Sequence, residues 1–200
     1  MEYITSVLFV ISNGLMIPVL ILLLYFLVRS IVAVATYYHS YRSNRTVLDT
    51  LAPALNVFTG RNTDELSLAL EGIAKSEIAS CMAEMLEHPA NDALNERIVA
   101  NYEVDAQKIL FRSRSLVKFG PVLGLMGTLI PMGPALVGLA SGNIASMAYN
   151  MQVAFATTVV GMFVAAVGVA RLQSDKYFLA KNINNLEFVR RKLAETSVEQ

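Results

Sequence analysis

Three threonines and one glutamine lie in a long stretch of the chain that has no charged side chain. Residues 119 to 170 contain no Asp, Glu, Lys, Arg or His, but they include Thr128, Gln152, Thr157 and Thr158. Hydroxyl and amide groups exchange hydrogen bonds without titrating, so they suit the wall of a polar path for an ion. If that path conducts protons, the titrating group has to come from another polypeptide, because this stretch contains no carboxylate of its own.

Small residues accompany these threonines at helical spacing. They form two stripes: Gly120, Gly124 and Thr128, and then Ala154, Thr158, Gly161, Ala165 and Gly168. Because lipid gives membrane helices no hydrophobic reason to associate, stripes of small residues indicate faces where helices approach closely. A threonine in such a face can also satisfy its hydroxyl on a carbonyl one turn back. The spacing alone leaves open whether the threonines line a path or only pack helices.

The charge-free stretch is long enough for two membrane helices. It divides at Ser141-Gly142-Asn143 into two spans of about 22 residues, each about 33 Å long as a helix, which is enough to cross a bilayer. In an antiparallel hairpin, Thr128 lies about 13 Å and Thr158 about 18 Å from the cytoplasmic ends of their spans. Two hydroxyls at similar depth favour a polar ring when several subunits assemble.

A third charge-free run, residues 7 to 28, predicts one more membrane helix. It is too long for the apolar region of a secretory signal, and no small-residue cleavage site follows it, so we expect it to be retained. The hydrophobic content of 54% against 16% charged residues agrees with a membrane protein and disfavours an ordinary soluble domain.

The positions of the basic residues predict the orientation. All lysines and arginines lie within residues 29–45, 61–118 and 171–192. By the positive-inside rule, the N-terminus and the hairpin are outside, whereas residues 37–118 and the C-terminus are cytoplasmic, in a cytoplasmic (inner) membrane. The expected regions are a first membrane helix (1–36), a cytoplasmic helical region (37–115), a membrane hairpin (116–172) and a cytoplasmic C-terminal helix (173–200).

The cytoplasmic region is predicted to be helical. An apolar pattern predicts one amphipathic helix from Thr63 to Met85, and His88-Pro89 indicates a turn after it. A second helix restarts near Ala93 and continues into the second span. Cys81 is the only cysteine and is expected to be a packing residue. The fold class is therefore all-α, with three transmembrane helices that extend into the cytoplasm.

Two motifs in the last two spans resemble the MotA/TolQ/ExbB proton channel family. The first is Pro121-x-x-Gly124-Leu125-x-Gly127-Thr128. The second is Ala156-Thr157-Thr158-x-x-Gly161-x-x-x-Ala165-Ala166. Three spans with a cytoplasmic insert are similar to the ExbB and TolQ branch, whereas MotA has four spans.

The resemblance implies a homo-oligomeric ring, a pentamer, around the single membrane helices of a partner that resembles ExbD, TolR or MotB. An aspartate of that partner takes up and releases protons beside Thr128 and Thr158, with Thr157 and Gln152 nearby, and the ion flow drives mechanical work as in a stator. Besides this partner we expect membrane lipids and no nucleic acid. The residues assigned to helix packing in the ring are Gly120, Pro121, Gly124, Gly127, Pro131, Ala154, Gly161, Ala165 and Gly168.

The sequence departs from the family pattern at two places. ExbB and TolQ have a glutamate five residues before the third-span threonine, where this chain has Val153, and the family glycine three residues after the second-span threonine is Pro131. These changes leave open which system is driven and whether the ion is H⁺, which we favour, or Na⁺.

The alternative function is a structural membrane scaffold that conducts nothing. A solute transporter is disfavoured because internal repeats and intramembrane charges are missing. Neither an enzyme nor a bound cofactor or metal is expected.

Overall fold

The structure is a computed structural model that describes residues 2–198. Five helices follow one another along the chain: α1 Glu2–Val57, α2 Asp64–Gly72, α3 Glu77–Glu87, α4 Asp92–Ala140 and α5 Ile144–Val198. The three long helices, α1, α4 and α5, are each long and apolar enough to cross a membrane. The prediction of three such helices in an all-α chain is confirmed.

Each long helix contributes to two compact units. The first, the membrane unit, contains the residues up to Thr36 together with Arg112–Leu172. The second, the polar unit, contains Tyr37–Phe111 and the described residues from Gln173 onward. Because α1, α4 and α5 have 56, 49 and 55 residues, each is more than twice as long as the roughly 20 residues that a bilayer needs.

In the membrane unit, α1 packs along α4 through apolar side chains. The ring centroids of Phe26 and Phe119 are 5.5 Å apart, and Phe9 approaches the backbone at Gly133. Most of the remaining surface of α1 is apolar and exposed, as expected of a helix that faces lipid. Arg29 holds its guanidinium 5.9 Å from the ring centroid of Tyr25, one turn before it.

The hairpin between α4 and α5 is fixed by a left-handed glycine. Gly142 has a φ of +74°, and the amides of Gly142 and Asn143 donate to the carbonyls of Leu139 and Gly138 at 3.1 and 2.8 Å. These bonds satisfy the free carbonyls at the end of α4. The Asn143 side chain then accepts from the amide of Ser146 at 3.0 Å and caps α5. The predicted break at Ser141-Gly142-Asn143 is confirmed.

The polar unit has its own hydrophobic core, to which all five helices contribute. Side chains that are fully buried there include Leu51, Leu66, Ile78, Met82, Met85 and Leu186. Polar contacts join α4 to α5 at its edge: the Asn182 amide donates to the Tyr102 hydroxyl at 2.8 Å, and Arg190 lies 3.2 Å from Asp92. This unit is thus a helical bundle closed by the far ends of the long helices.

The single amphipathic helix predicted from Thr63 to Met85 is wrong, because the chain breaks between Gly72 and Glu77. The Ser76 hydroxyl donates to the carbonyl of Ile73 at 2.8 Å and accepts from the amide of Ala79 at 3.4 Å, so it stabilises the break and caps α3. Glycine in a helix interior is unfavourable, which helps α2 to end at Gly72. The turn predicted after α3 is confirmed, with α4 beginning at Asp92.

Candidate functional site

The second and third predicted spans pack against each other through glycines. A Cβ atom added at Gly120 would lie 2.7 Å from the carbonyl oxygen of Gly161, and one added at Gly161 would lie 2.6 Å from that of Gly120. Side chains cannot be accommodated at such separations, so the two backbones are in direct contact. This seam between α4 and α5 continues at Gly168, where a Cβ would lie 2.8 Å from the amide nitrogen of Val117.

Both glycine stripes therefore form a helix–helix interface within one chain. Gly120, Gly124 and Gly127 are buried on α4, and Ala154, Gly161 and Gly168 are buried on α5. Of the remaining residues assigned to packing, Pro131 is buried, Ala165 is half-buried and Pro121 is exposed. A role of any of them between subunits of a ring stays a prediction.

The seam fixes how the threonines of the two helices align. Gly127 on α4 lies opposite Thr157 on α5. Leu116, eleven residues before Gly127, lies opposite Gly168, eleven residues after Thr157, so the two pairs define one antiparallel register. In this register Thr158 lies opposite Met126, two residues from Thr128. That offset corresponds to about 3 Å along the helix axis, so the two hydroxyls are at closely similar depth.

Thr128 and Thr158 are half-buried beside the seam. The Thr128 hydroxyl donates to the carbonyl of Leu125 at 2.7 Å, and that of Thr158 donates to the carbonyl of Ala154 at 3.3 Å. The α-carbon of Thr158 lies 3.6 Å from the position of a Cβ at Gly124, which places it close to the backbone of α4. Each hydroxyl is thus bonded within its own helix, and each residue is half-buried rather than fully enclosed.

Thr157 and Gln152 occupy different surroundings. Thr157 is only 5% exposed, and its side chain fills the space beside Gly127. A Cβ added at Gly127 would lie 2.6 Å from the Cβ of Thr157. Its hydroxyl donates to the carbonyl of Ala154 at 2.9 Å. Gln152 is exposed, one residue from the half-buried Val153. The structure therefore does not bring the four predicted polar residues into one cluster within a single chain.

The carbonyl of Ala154 accepts from the hydroxyls of both Thr157 and Thr158, and this shared acceptor is not among the residues predicted from the sequence. The available signal was the consecutive pair of threonines, which lie three and four residues after Ala154. Those are the two spacings at which a helical threonine reaches back to a carbonyl.

The outer faces of α4 and α5 are apolar and exposed. Side chains that are at least 60% exposed include Leu125, Leu129, Phe155, Val159 and Met162. Patches of this kind on a helical protein mark surfaces for lipid or for other polypeptides. The faces of α4 and α5 that point away from the seam are therefore suited to contact with lipid or with apolar surfaces of other polypeptides.

The polar unit contains a separate groove of about 540 Å³ beside Cys81. Burial, followed by the nearby carboxylate of Glu84, raises the pKa of the Cys81 thiol above its ordinary value. Burial likewise raises the pKa of the Tyr102 hydroxyl, which lines the same groove. A thiol held protonated in this way is a poor nucleophile. Among residues 2–198, no group of three or more His, Cys, Asp or Glu residues is arranged to hold a metal ion.

A scan against models of protein families matches residues 67–187 to the MotA/TolQ/ExbB proton channel family. The match covers 121 of the 200 residues and includes all of α4 and α5 as far as residue 187. Comparisons with curated proteins and with solved structures give no match. The matched family is one of membrane channels and not of known enzymes, and together with the three apolar helices it indicates an inner-membrane protein. The chain belongs to the MotA/TolQ/ExbB proton channel family.

Proposed function

We propose that this chain is a ring-forming subunit of an ion-driven membrane motor and stands closest to the ExbB and TolQ branch of its family. Subunits assemble as a ring, a pentamer, around the membrane helices of a partner that resembles ExbD, TolR or MotB. Ion flow between ring and partner is converted into mechanical work. Three membrane helices, as against four in MotA, support the choice of branch.

The observation on which this proposal rests is the pair of hydroxyls of Thr128 and Thr158. They lie about 3 Å apart in depth on two helices whose backbones touch, inside a stretch without any charge. Each hydroxyl has an acceptor within its own helix, which lets it lie in an apolar environment, and both residues are half-buried beside the seam. Repeated around a ring, they would give a polar belt at one level of the bilayer.

The absence of acidic, basic and histidine side chains in residues 119–170 supports an obligate partner. A proton that crosses hydrocarbon needs a group that binds and releases it, and the uncharged walls supply only hydrogen bonds. A carboxylate on a single-span partner completes the path. In our proposal the basic residues place the N-terminus and the hairpin outside, and the polar unit and C-terminus in the cytoplasm.

We favour protons as the ion, with sodium as the alternative. Pro131 and Pro134 have no amide hydrogen, so the carbonyls of Gly127 and Ile130 lack the usual backbone donor four residues later. Carbonyl and hydroxyl oxygens are ligands that hard cations prefer. The two ions are distinguished by comparing flux through the reconstituted complex under an H⁺ gradient alone with flux under a Na⁺ gradient alone.

Replacement of Thr158 by valine tests the proposal. The complex of this chain with its partner, purified together and reconstituted in vesicles, is expected to dissipate an imposed H⁺ gradient. Thr158→Val should abolish that flux while the ring still assembles, whereas Thr158→Ser, which keeps the hydroxyl, should retain most of it. Undiminished flux in an assembled Thr158→Val complex would overturn the assignment.

A non-conducting scaffold is the second candidate, and one observation favours it. The hydroxyls of Thr128, Thr157 and Thr158 all have acceptors inside their own helices, and the glycine seam is a packing device. For a scaffold, Thr158→Val and Thr158→Ser would change thermal stability alone, and no complex would conduct ions.

A further inference from the structure

Two hydroxyls compete for one carbonyl at the third-span threonine pair. The Thr157 and Thr158 hydroxyls both donate to the carbonyl of Ala154, at 2.9 and 3.3 Å respectively. In an α-helix this carbonyl also accepts from the backbone amide four residues later, which is that of Thr158. Three donors are thus directed at one oxygen.

A carbonyl oxygen has two lone pairs and accepts two good hydrogen bonds. The backbone amide of Thr158 takes one of them, because losing that bond would leave a helical amide unsatisfied in hydrocarbon. A single lone pair remains for the two hydroxyls. The distance of 2.9 Å lies within the normal range, whereas 3.3 Å exceeds it, so Thr157 holds the better bond.

The packing of the two side chains explains why Thr157 takes precedence. Thr157 is buried in the seam, where its side chain packs at Gly127, so its hydroxyl has little access to groups outside the chain. Thr158 is half-buried and borders an accessible surface. The constrained hydroxyl keeps the acceptor, and the accessible hydroxyl is held weakly.

We propose that Thr157 is a positioning residue: by occupying the Ala154 carbonyl, it leaves the Thr158 hydroxyl free to donate to a carboxylate or water outside its own helix. The functional half of this inference rests on the proposed function, whereas the hydrogen-bond arrangement does not. It revises the expectation that Thr157 itself lines the path. In this arrangement the buried Thr157 hydroxyl occupies the shared acceptor, and the Thr158 hydroxyl is the one that donates to the ion path.

The hydrogen-bond arrangement is testable without any partner. The dipeptide Ala154-Phe155 is the only Ala-Phe in the chain, so labelling with ¹³C-carbonyl alanine and ¹⁵N phenylalanine gives one solid-state NMR correlation for the Ala154 carbonyl. In the lipid-reconstituted protein, Thr158→Val should hardly move this ¹³C shift. Thr157→Val should move the shift by an intermediate amount, because the Thr158 hydroxyl then partly replaces the lost bond to the Ala154 carbonyl. The double variant has neither hydroxyl and should move the shift furthest. A shift in Thr158→Val as large as in Thr157→Val would overturn the proposal.

The functional half is tested by ion flux through the complex with the partner. Thr157→Val should lower the flux about two- to tenfold, which is the factor equivalent to one net hydrogen bond, and Thr157→Ser should restore it. In a Thr158→Ser background, which keeps the accessible donor, Thr157→Val should again lower the flux. Equal flux in Thr157→Val and the wild type would refute the positioning role, as would a loss that Thr157→Ser does not rescue. If no complex conducts but the NMR shifts behave as expected, the proposed function fails and the hydrogen-bond arrangement stands.

Discussion

Replacing Gly161 with alanine places a methyl group where the backbone of α4 already lies. The added Cβ would be 2.6 Å from the carbonyl oxygen of Gly120 and 2.8 Å from the α-carbon of Gly124. Carbon atoms prefer separations of about 3.5 Å or more, so the helices have to separate by several tenths of an ångström. A flexible side chain could yield at such a contact, but two helix backbones cannot.

The cost of this separation follows from the contacts along the seam. A radial gap of about 0.5–1 Å forfeits a quarter to a half of each dispersion contact, and overpacking of a well-packed site costs about 1–3 kcal/mol. Alanine regains about 1 kcal/mol through its better helix propensity. Because the clash involves backbone at both ends, we expect a net loss of about 2 kcal/mol. In a chain of 200 residues this lowers the thermal midpoint by about 4–8 °C.

Thermal unfolding followed by circular dichroism in lipid nanodiscs measures this loss. Gly14→Ala is the matched control, because a Cβ at Gly14 meets nothing within 4 Å although the residue also lies inside an apolar helix. Gly124→Ala should be intermediate, since its nearest neighbours would be 3.3 Å and 3.4 Å away. If Gly161→Ala unfolds at or above the midpoint of Gly14→Ala, the two helices do not touch at the seam.

Two further predictions concern the polar unit and the orientation of the chain. Burial and the Glu84 carboxylate raise the pKa of Cys81, so the rate at which its thiol is alkylated should rise with pH only above the range of a free thiol. Glu84→Gln should lower that pKa and speed alkylation at a given pH. Glu87→Gln is the control and should have no effect, because Glu87 is exposed and does not contribute to the shift. In a Cys81→Ser background, a membrane-impermeant maleimide applied from outside should label Ala140→Cys beside the hairpin and not Ala93→Cys at the start of α4, and the reverse pattern would refute the proposed orientation.

Most of the helical architecture could be predicted from the sequence, because apolar length and charge-free runs depend on the local chain. Three spans, the hairpin and the continuation of α4 into the membrane follow from such runs. The break between α2 and α3 could not be predicted from the apolar pattern, which continues across it. It depends on the Ser76 hydroxyl, which bonds on both sides of the break.

The candidate site was only partly predictable. The stripes of small residues predict close helix contact, but they do not say which helices meet, and here Gly120 and Gly161 meet within one chain. Depth along the spans predicted the alignment of Thr128 with Thr158 approximately, and the seam now gives their offset. The burial of Thr157 depends on the rotation of α5 against Gly127, which is a tertiary property that no local pattern contains.

Ion flux with and without the partner tests the central claim most directly, which is that this chain forms uncharged walls and a second polypeptide supplies the acid. Vesicles containing the purified chain alone should show no proton flux above empty vesicles, because residues 119–170 contain no Asp, Glu, His, Lys or Arg. Vesicles containing the chain together with the proposed single-span partner should conduct, and replacing the proposed membrane carboxylate of that partner by its amide should stop the flux. Proton conduction by the chain alone, at the rate of the complex, would contradict the account.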